Sequence, residues 1–291
     1  MAETGPVVAV IAMGEMGSGI AWRLYERGAS IRTSLTGRSP ASAARAQAAG
    51  AESFEDDRAM LEGSHFMLSV VPPGEARALA QRLAPALQAV ARKLVYVDCN
   101  AVAPETARDV AAILAPAGCP FADCGIIGGP PKGDDDAGPR LYVSGPAAQA
   151  AMQLARYGVD MRLLPGDVGV ASAFKLSYAG FTKGVVALAS EMILGATQAG
   201  VEAELKRELT ASQPQLLAWI QRRVPEMYPK AYRWVAEMEE LSAYLDNIPG
   251  GGNIYEGMAQ LYETLAEASK NRGGKGNEID ALQTFLKPGK S

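Results

Sequence analysis

Residues 12–17, AMGEMG, are a stretch whose residue types and spacing point to binding chemistry. They follow the apolar run at 7–12 and precede an amphipathic helical pattern. A glycine at 14 lets the backbone approach a pyrophosphate, and a glycine at 17 allows close packing of helix on strand. Free N–H groups at the start of the helix, near Met16, attract phosphate charge. The pattern predicts a dinucleotide site, and a purely structural turn is the alternative.

The turn departs from G-x-G-x-x-G at its first position, where Ala12 stands in place of glycine. Alanine is compatible with such a turn if its φ angle is negative. We therefore retain the interpretation and expect the whole turn to contact the cofactor. Its residues are Ala12, Met13, Gly14, Glu15, Met16 and Gly17.

The end of the second predicted strand bears on which dinucleotide is bound. NAD sites usually place an acidic residue there, but the only acid between residues 30 and 54 is Glu52, past the next helix. The segment instead contains Gly37, Arg38 and Ser39. A guanidinium with a hydroxyl can hold a 2′-phosphate, whereas a solvated surface arginine is the alternative. The sequence predicts NADP, with NAD less favoured.

Short apolar runs alternate with helical patterns through the first half of the chain. This spacing predicts right-handed βαβ units and a parallel sheet covered on both faces. The predicted strands are 7–12, 30–35, 65–71, 93–99, 119–124, 140–145 and 160–165. The predicted helices are 17–28, 40–49, 74–91, 104–116 and 146–157.

After Gly166 the pattern becomes helical throughout. We predict helices at 168–199, 201–222, 231–245, 253–269 and 277–286, separated by prolines and glycines. The predicted fold is α/β: an N-terminal Rossmann-type doubly wound parallel sheet at 1–165 with a C-terminal all-helical domain at 166–291.

Composition narrows the classes of function. The chain is 48% hydrophobic and 21% charged with net charge −4, which fits a soluble globular protein and gives no basic face for nucleic acid. No uninterrupted apolar stretch reaches the ~20 residues of a membrane span, and the N-terminus lacks the basic start of a signal peptide. We expect a cytoplasmic protein without membrane or nucleic-acid partners.

Cysteine and histidine are too few for common metal or disulfide chemistry. Cys99, Cys119 and Cys124 are an odd number, which indicates reduced thiols. The single histidine, His65, stands just before an apolar run and is interpreted as a strand-entry residue. No metal site is predicted.

Taken in order, residues 7–185 resemble the β-hydroxyacid dehydrogenases, the group that includes hydroxyisobutyrate, tartronate-semialdehyde and phosphogluconate dehydrogenases. The resemblance includes the turn at 12–17 and the segment TGRSP (36–40). Four further segments carry it: SVVPP (69–73), DCNAVAPET (98–106), FADCGIIGGPPKGDDDAGPRLYVSG (121–145) and GDVGVASAFKLSYAG (166–180). Within the family the second half is most similar to a branch with a divergent helical C-terminal domain.

The resemblance implies site roles for each segment. Val71 and Pro72 correspond to a loop over the cofactor, and Asn100 to the segment that touches nicotinamide and substrate. The substrate loop corresponds to Ile127, Gly128 and Gly129. Asp123 is interpreted as a structural acid at a strand end.

Lys175 matches the general acid/base of the family, which takes the hydroxyl proton as hydride leaves. From the residues alone, a lysine in an apolar helix more often extends to the surface. Tyr178 is predicted to share the catalytic site or contact substrate, with domain packing as the alternative. Lys183 is a candidate for binding a distal anion of the substrate, with a structural or solvated role as the alternative. Family members dimerise through the helical domain, so a homodimer is implied.

Two departures bear on the substrate. Ile127 replaces a serine, and Tyr178 and Ala179 replace polar residues beyond the lysine. We therefore predict an NADP-dependent oxidoreductase that interconverts an alcohol, β-hydroxy acid-like with an apolar or aromatic part, and its carbonyl compound. An imine reductase-like enzyme and a non-catalytic NADP-binding protein are the alternatives.

Overall fold

We describe the protein from a computed structural model covering residues 5–133, 136–270 and 278–287. The chain divides into two compact units, Met1–Leu176 and Ser177–Ser291. The division falls eleven residues after the predicted boundary at 165, within one long helix.

The first unit is built on one eight-stranded sheet of order β3-β2-β1-β4-β5-β6-β7-β8. Its strands are β1 (Val7–Ile11), β2 (Ser30–Thr33), β3 (Ala51–Ser53), β4 (Phe66–Ser69), β5 (Val95–Asp98), β6 (Phe121–Ile127), β7 (Arg140–Ser144) and β8 (Asp160–Leu163). Its helices are α1 (Glu15–Glu26), α2 (Pro40–Ala48), α3 (Asp57–Leu61), α4 (Ala76–Ala89), α5 (Pro104–Leu114) and α6 (Ala148–Ala151), with short 3₁₀ turns at Pro73–Glu75, Ala115–Ala117 and Met152–Tyr157.

Two hydrophobic clusters, one on each face, hold the helices to this sheet. Along β1, Val8 and Val10 pack in the cluster that includes α1, whereas Ala9 and Ile11 pack in the cluster that includes α4 and α5. This alternation follows from the two-residue period of a strand. The buried faces confirm the predicted doubly wound α/β fold.

The sheet departs from the predicted parallel arrangement at one pair of strands. β7 runs antiparallel to β6, with Ile127 opposite Arg140, while the other neighbouring pairs are parallel. The reason is the connection: residues 128–139 include no described helix, and an antiparallel neighbour needs no helical crossover. β3 and α3 were missed because each spans only three to five residues.

His65 has the strand-entry place that the sequence indicated. His65 enters β4, where its Nδ1 accepts a hydrogen bond from the Val7 N–H at 3.1 Å. The three cysteines are buried and unbridged. Among the described residues, no cluster of three or more His, Cys, Asp or Glu side chains could hold a metal.

The described part of the second unit is helical. α7 (Val170–Ala199) begins in the first unit and continues into the second. It is followed by α8 (Glu202–Ser212), α9 (Pro214–Met227), α10 (Ala231–Tyr244), α11 (Gly251–Lys270) and α12 (Glu278–Leu286), with a 3₁₀ turn at Tyr228–Lys230. The predicted helix at 201–222 is divided before Pro214, because proline suits the first turn of a helix but not its interior.

Within the second unit, α7 packs closely on α11. A Cβ atom at Gly180 would lie 2.8 Å from the Tyr255 hydroxyl oxygen, and one at Gly184 would lie 3.6 Å from the Met258 sulfur. Small residues on this face of α7 therefore let the two helices approach.

α7 is also the one described helix long and apolar enough to span a bilayer by length and composition. Its most apolar window has a mean hydropathy of 1.2 and is 44% buried. A core helix of a water-soluble protein meets the same criterion, and Lys175 and Lys183 interrupt the apolar run.

The end of β5 places an acidic side chain in the interior. Asp98 is 1% exposed, its Oδ1 accepts a hydrogen bond from the Asn100 N–H at 3.1 Å, and its Oδ2 has no partner among the described residues. Burial raises the pKa of Asp98 to about 7; hydrogen bonds from Asn100 lower it, and the charge of Asp123 on the neighbouring strand raises it.

This carboxyl group makes stability depend on pH. The pKa of Asp98 in the folded protein exceeds the unfolded value of about 4. The contribution of its protonation to the free energy of unfolding is therefore fully present below about pH 4. That contribution is lost as the pH rises towards 7. In Asp98→Asn, which has no titrating proton here, we expect the Tm relative to wild type to increase between pH 5 and pH 8.

Thermal unfolding followed by circular dichroism at intervals of one pH unit measures this difference. The exposed Asp246→Asn should show no such trend. A difference between Asp98→Asn and wild type that stays constant with pH would contradict the assignment.

Candidate functional site

The glycine turn joins β1 to α1 at the carboxyl end of the strand. α1 begins at Glu15 with Gly14 as its N-cap, and no described side chain caps its first turn. The N–H groups there are open to an anion, and the positive end of the helix favours one. Among the described residues only glycines have positive φ, so Ala12 meets the condition set for alanine.

The three glycines of this segment have different roles. A Cβ atom at Gly17 would lie 2.0 Å from the carbonyl oxygen of Ala12, and one at Gly19 would lie 2.8 Å from Pro131 Cδ. Both positions therefore need glycine for packing. A Cβ at Gly14 would meet nothing within 4 Å, and its φ of −72° suits any residue. Open space beside Gly14 fits the close approach of a phosphate.

The remaining residues of the turn divide between the interior and solvent. Met13 is 2% exposed, and Met16 is partly buried and packs against the core. Glu15 is exposed. The Arg45 Nε–H donates to the Met13 carbonyl at 3.0 Å and fixes the turn from α2. Arg45 was missed from the sequence, because nothing in it links α2 to the turn.

The β2–α2 connection carries the residues predicted to bind the 2′-phosphate. Gly37 has a φ of 72°, which turns the chain. Ser39 is the N-cap of α2, and its Oγ accepts from the Ser42 N–H at 3.3 Å. Arg38 is exposed, and its guanidinium makes no hydrogen bond or ion pair with the described residues. A cation and a helix start thus lie side by side.

Asn100 joins the two loops that follow β4 and β5. It is 3% exposed; its Oδ1 accepts from the Val71 N–H at 2.7 Å, and its Nδ2 donates to Ser69 Oγ at 2.8 Å and to Asp98 Oδ1. Both amide N–H groups are therefore engaged inside the protein. The geometry gives Asn100 the role of holding Val71 and the exposed Pro72 in place. Its contact with nicotinamide or substrate stays a prediction.

β6 and the start of α7 bring Lys175 to the sheet. Asp123, Gly125 and Ile127 occupy alternate positions of β6 and share one face. Asp123 is a hydrogen-bond acceptor for the start of α7, the structural role that the sequence indicated. A Cβ at Gly125 would lie 2.8 Å from the Cβ of Lys175, which is half-buried. The candidate acid/base thus lies against the second half of β6.

The carboxyl ends of β1, β4, β5 and β6 lie at one sheet edge, because these strands are parallel. The glycine turn, Val71, Asn100 and the Lys175 side of β6 are therefore grouped at that edge, where α/β sheets bind ligands. Beyond β6, Gly128 has a φ of 119°, and Gly128 and Gly129 are both exposed, while Ile127 is 3% exposed.

The two candidates in the second unit differ in how far they are engaged. The Tyr178 side chain is 45% exposed, one turn beyond Lys175 along α7. The Lys183 ammonium pairs with Glu237 and lies 5.1 Å from the centre of the Trp234 ring, and both charged side chains are largely buried. Lys183 therefore joins α7 to α10, and its predicted contact with substrate stays a prediction.

Comparison with known proteins gives two family matches. The model of the NAD binding domain of 6-phosphogluconate dehydrogenase matches residues 7–155, about half of the chain. A domain of unknown function, DUF1932, matches residues 196–265.

Solved structures agree with these matches. A conserved protein of unknown function, described as structurally similar to 3-hydroxyacid dehydrogenases, is 28% identical with a TM-score of 0.71, over 92% of this chain and 99% of that one. A 3-hydroxyisobutyrate dehydrogenase from Mycobacterium tuberculosis, with L-serine, is 17% identical with a TM-score of 0.71, over 98% and 100%. An imine reductase from Myxococcus stipitatus in complex with NADP+ is 21% identical with a TM-score of 0.54, over 97% and 100%.

The likenesses to the 3-hydroxyisobutyrate dehydrogenase and the imine reductase, at 17% and 21% identity, show the fold alone. The match to the NAD binding domain, over about half of the chain, shows the family. The chain belongs to the family of the NAD binding domain of 6-phosphogluconate dehydrogenase, as a β-hydroxyacid dehydrogenase-like, NAD(P)-dependent oxidoreductase with a helical C-terminal region.

Proposed function

We propose that the protein is an NADP-dependent oxidoreductase that interconverts an alcohol and its carbonyl compound by hydride transfer, with Lys175 as general acid/base. The observation that carries this proposal is the packing of Lys175 against Gly125 of β6. That strand ends at the same sheet edge as the glycine turn. The residues that would hold the nucleotide and the residue that would move the proton are thus grouped within the first unit.

Bound NADP supplies the hydride acceptor for oxidation, and its reduced form supplies the donor for the reverse reaction. The chain's own part is to bind and to move a proton. The first-turn N–H groups of α1 would hold the pyrophosphate, and the open space beside Gly14 would leave room for it. The uncharged amine of Lys175 accepts the hydroxyl proton of the alcohol as hydride departs, and the ammonium returns it to the carbonyl oxygen in reverse.

The proposed substrate class is supported by Ile127, which ends β6 in place of a small hydroxyl residue. The side chain of Ile127 cannot hydrogen-bond a carboxylate. We therefore propose a β-hydroxy acid-like alcohol with an apolar or aromatic part.

The preference for NADP is supported by Arg38 and the start of α2. Loss of a charge-assisted bidentate contact costs about 1.5–3 kcal/mol, roughly a 10- to 150-fold change in affinity. In Arg38→Ala we expect the Kd for NADPH to rise by about this factor while the Kd for NADH stays unchanged. Titration calorimetry with both nucleotides measures it.

A matched control is Arg58→Ala, an exposed arginine on α3. It should alter neither Kd. Equal weakening of both nucleotides in Arg38→Ala, or wild-type affinity for NADH equal to that for NADPH, would argue against the assignment.

The acid/base role of Lys175 is tested with NADP and a panel of β-hydroxy acids, aryl alcohols and β-hydroxy amino acids. General acid/base catalysis contributes about 10²- to 10⁴-fold. In Lys175→Ala we expect kcat on the best substrate to fall by about that factor while the Kd for NADPH is retained. Lys230→Ala, an exposed lysine of the second unit, is the control. Full turnover by Lys175→Ala would refute the role.

A second candidate function is imine reduction, which the exposed Tyr178 hydroxyl keeps open as a proton donor. NADPH-dependent reduction of a cyclic imine without any alcohol oxidation would favour it. Tight NADPH binding without turnover on either panel would instead favour a non-catalytic nucleotide-binding protein. A cytoplasmic location without nucleic-acid or membrane partners completes the proposal, as the composition suggests.

We also propose a homodimer formed through the helical unit. On α7, Tyr178, Phe181, Val185, Leu188 and Met192 recur at intervals of three and four residues. Phe181 is 77% exposed, and Leu188 and Met192 are each more than half exposed. Such spacing forms the apolar seam of paired helices. The face with Gly180 and Gly184, by contrast, is already covered by α11.

The seam is tested by Leu188→Glu, which places a charge at its centre. Sedimentation velocity should show the dimer mass for wild type and the monomer mass for this variant, because a buried unpaired charge is costly. Leu216→Glu, an exposed apolar position on α9, should remain dimeric. A monomeric wild type, or wild-type protein that floats with lipid vesicles, would contradict the proposal.

A further inference from the structure

We infer that two residues of β6, Asp123 and Gly125, set the position of the Lys175 amine and are positioning residues for the proposed reaction. This inference rests on the proposed role of Lys175. Neither residue needs to touch substrate or cofactor. Asp123 fixes the start of α7, and Gly125 sets the distance between α7 and the sheet.

Asp123 fixes the start of α7. Its carboxylate is 1% exposed; Oδ2 accepts from the Gly169 N–H at 2.9 Å and the Ser172 N–H at 3.0 Å, and Oδ1 accepts from Ser172 Oγ at 2.7 Å. A carboxylate here satisfies N–H groups that lack a helical partner and meets the positive end of the helix. Both oxygens are thus used to tie α7 to the sheet.

Ser144 on β7 strengthens the same junction. Its Oγ donates to Asp123 Oδ2 at 3.4 Å and accepts from the Ala171 N–H at 2.9 Å. The first turn of α7 is therefore held by two neighbouring strands, and it cannot shift along its axis without breaking several buried hydrogen bonds.

Gly125 sets how close α7 comes to the sheet. A Cβ atom there would lie 2.7 Å from the carbonyl oxygen of Ala171 and 2.8 Å from the Cβ of Lys175, both closer than real Cβ contacts allow. The φ of Gly125 is not positive, so this glycine answers a need for space and not for an unusual backbone. Because Gly125 has no side chain, the Cβ of Lys175 can pack directly against the backbone of β6.

Together, the Asp123 hydrogen bonds and the Gly125 contact fix where the Lys175 side chain starts. Lys175 lies three residues after Ser172, less than one turn beyond the tied residue, at a rise of about 4.5 Å. Asp123 therefore sets the height of Lys175 along the helix, and Gly125 sets its distance from the sheet. Because a displacement of about 1 Å can cost about 100-fold in rate, small changes at these two positions should reach the chemistry.

The main test is Gly125→Ala on β6. The control is Gly195→Ala on α7, the helix that carries Lys175, where the added Cβ meets nothing within 4 Å. We expect kcat of Gly125→Ala to fall about 10- to 100-fold with an unchanged Kd for NADPH, and Gly195→Ala to keep the wild-type kcat. Leu83→Ala, a core variant on α4 distant in sequence from β6 and α7, shows whether lost stability alone lowers kcat.

A readout without substrate accompanies it. Reductive methylation at fixed pH, followed by mass spectrometry, gives the labelling rate of each lysine. We expect the rate at Lys175 to change at least threefold in Gly125→Ala while the rate at Lys230 stays constant. Asp123→Asn, which places an amide N–H against the N–H groups of α7, should alter the Lys175 rate in the same assay, and Ser172→Ala should do so to a smaller extent.

The outcomes separate this inference from the proposed function. If Lys175→Ala keeps full turnover, the acid/base proposal fails. If Lys175→Ala is inactive while Gly125→Ala keeps the wild-type kcat and Lys175 labelling rate, the acid/base proposal stands and the positioning role of Gly125 is wrong. If Gly125→Ala does not fold, an unchanged Lys175 labelling rate in both Asp123→Asn and Ser172→Ala overturns the inference, and a changed rate supports it.

Discussion

The contact between the Asp123 carboxylate and the N–H groups of Gly169 and Ser172 is the interaction on which the proposed site of the first unit depends. α7 has thirty residues, yet its first turn contains no acidic residue of its own. Its start is positioned by a strand that lies about fifty residues earlier in the chain. A buried acid thus acts across the sheet as the cap of a helix, and the placement of Lys175 follows from it.

The second constraint is the cost of burying polar groups at the strand ends. Asp98, Asn100 and Ser69 are almost inaccessible to solvent, and they satisfy one another except for one oxygen of Asp98. Their network ends on the N–H of Val71. The loop expected over the cofactor is thereby connected to the interior by hydrogen bonds that water cannot easily replace.

Much of the fold could be predicted, because periodicity alone reports which residues must face a core. The long strands of the first unit and the α7 pattern were found in this way. β3 and α3 are too short to show a period, and the antiparallel β7 depends on a connection whose path the sequence does not reveal. The division of the chain within α7 could not be foreseen either, because the sequence pattern there is that of one uninterrupted helix.

The candidate site, like the fold, could be predicted only in part. Motif spacing indicated the turn at 12–17 and the TGRSP segment, and the family resemblance indicated Lys175; their roles in the reaction stay predictions. It could not distinguish a side chain that is available from one that is already engaged, as Asn100 and Lys183 show. It also missed Arg45, whose partner is a backbone carbonyl and leaves no trace in residue type. The two glycines of the turn, finally, answer to different selective demands. A descendant of this chain that no longer bound a nucleotide would be free to acquire a methyl group at position 14, but at position 17 the carbonyl oxygen of Ala12 would still exclude one.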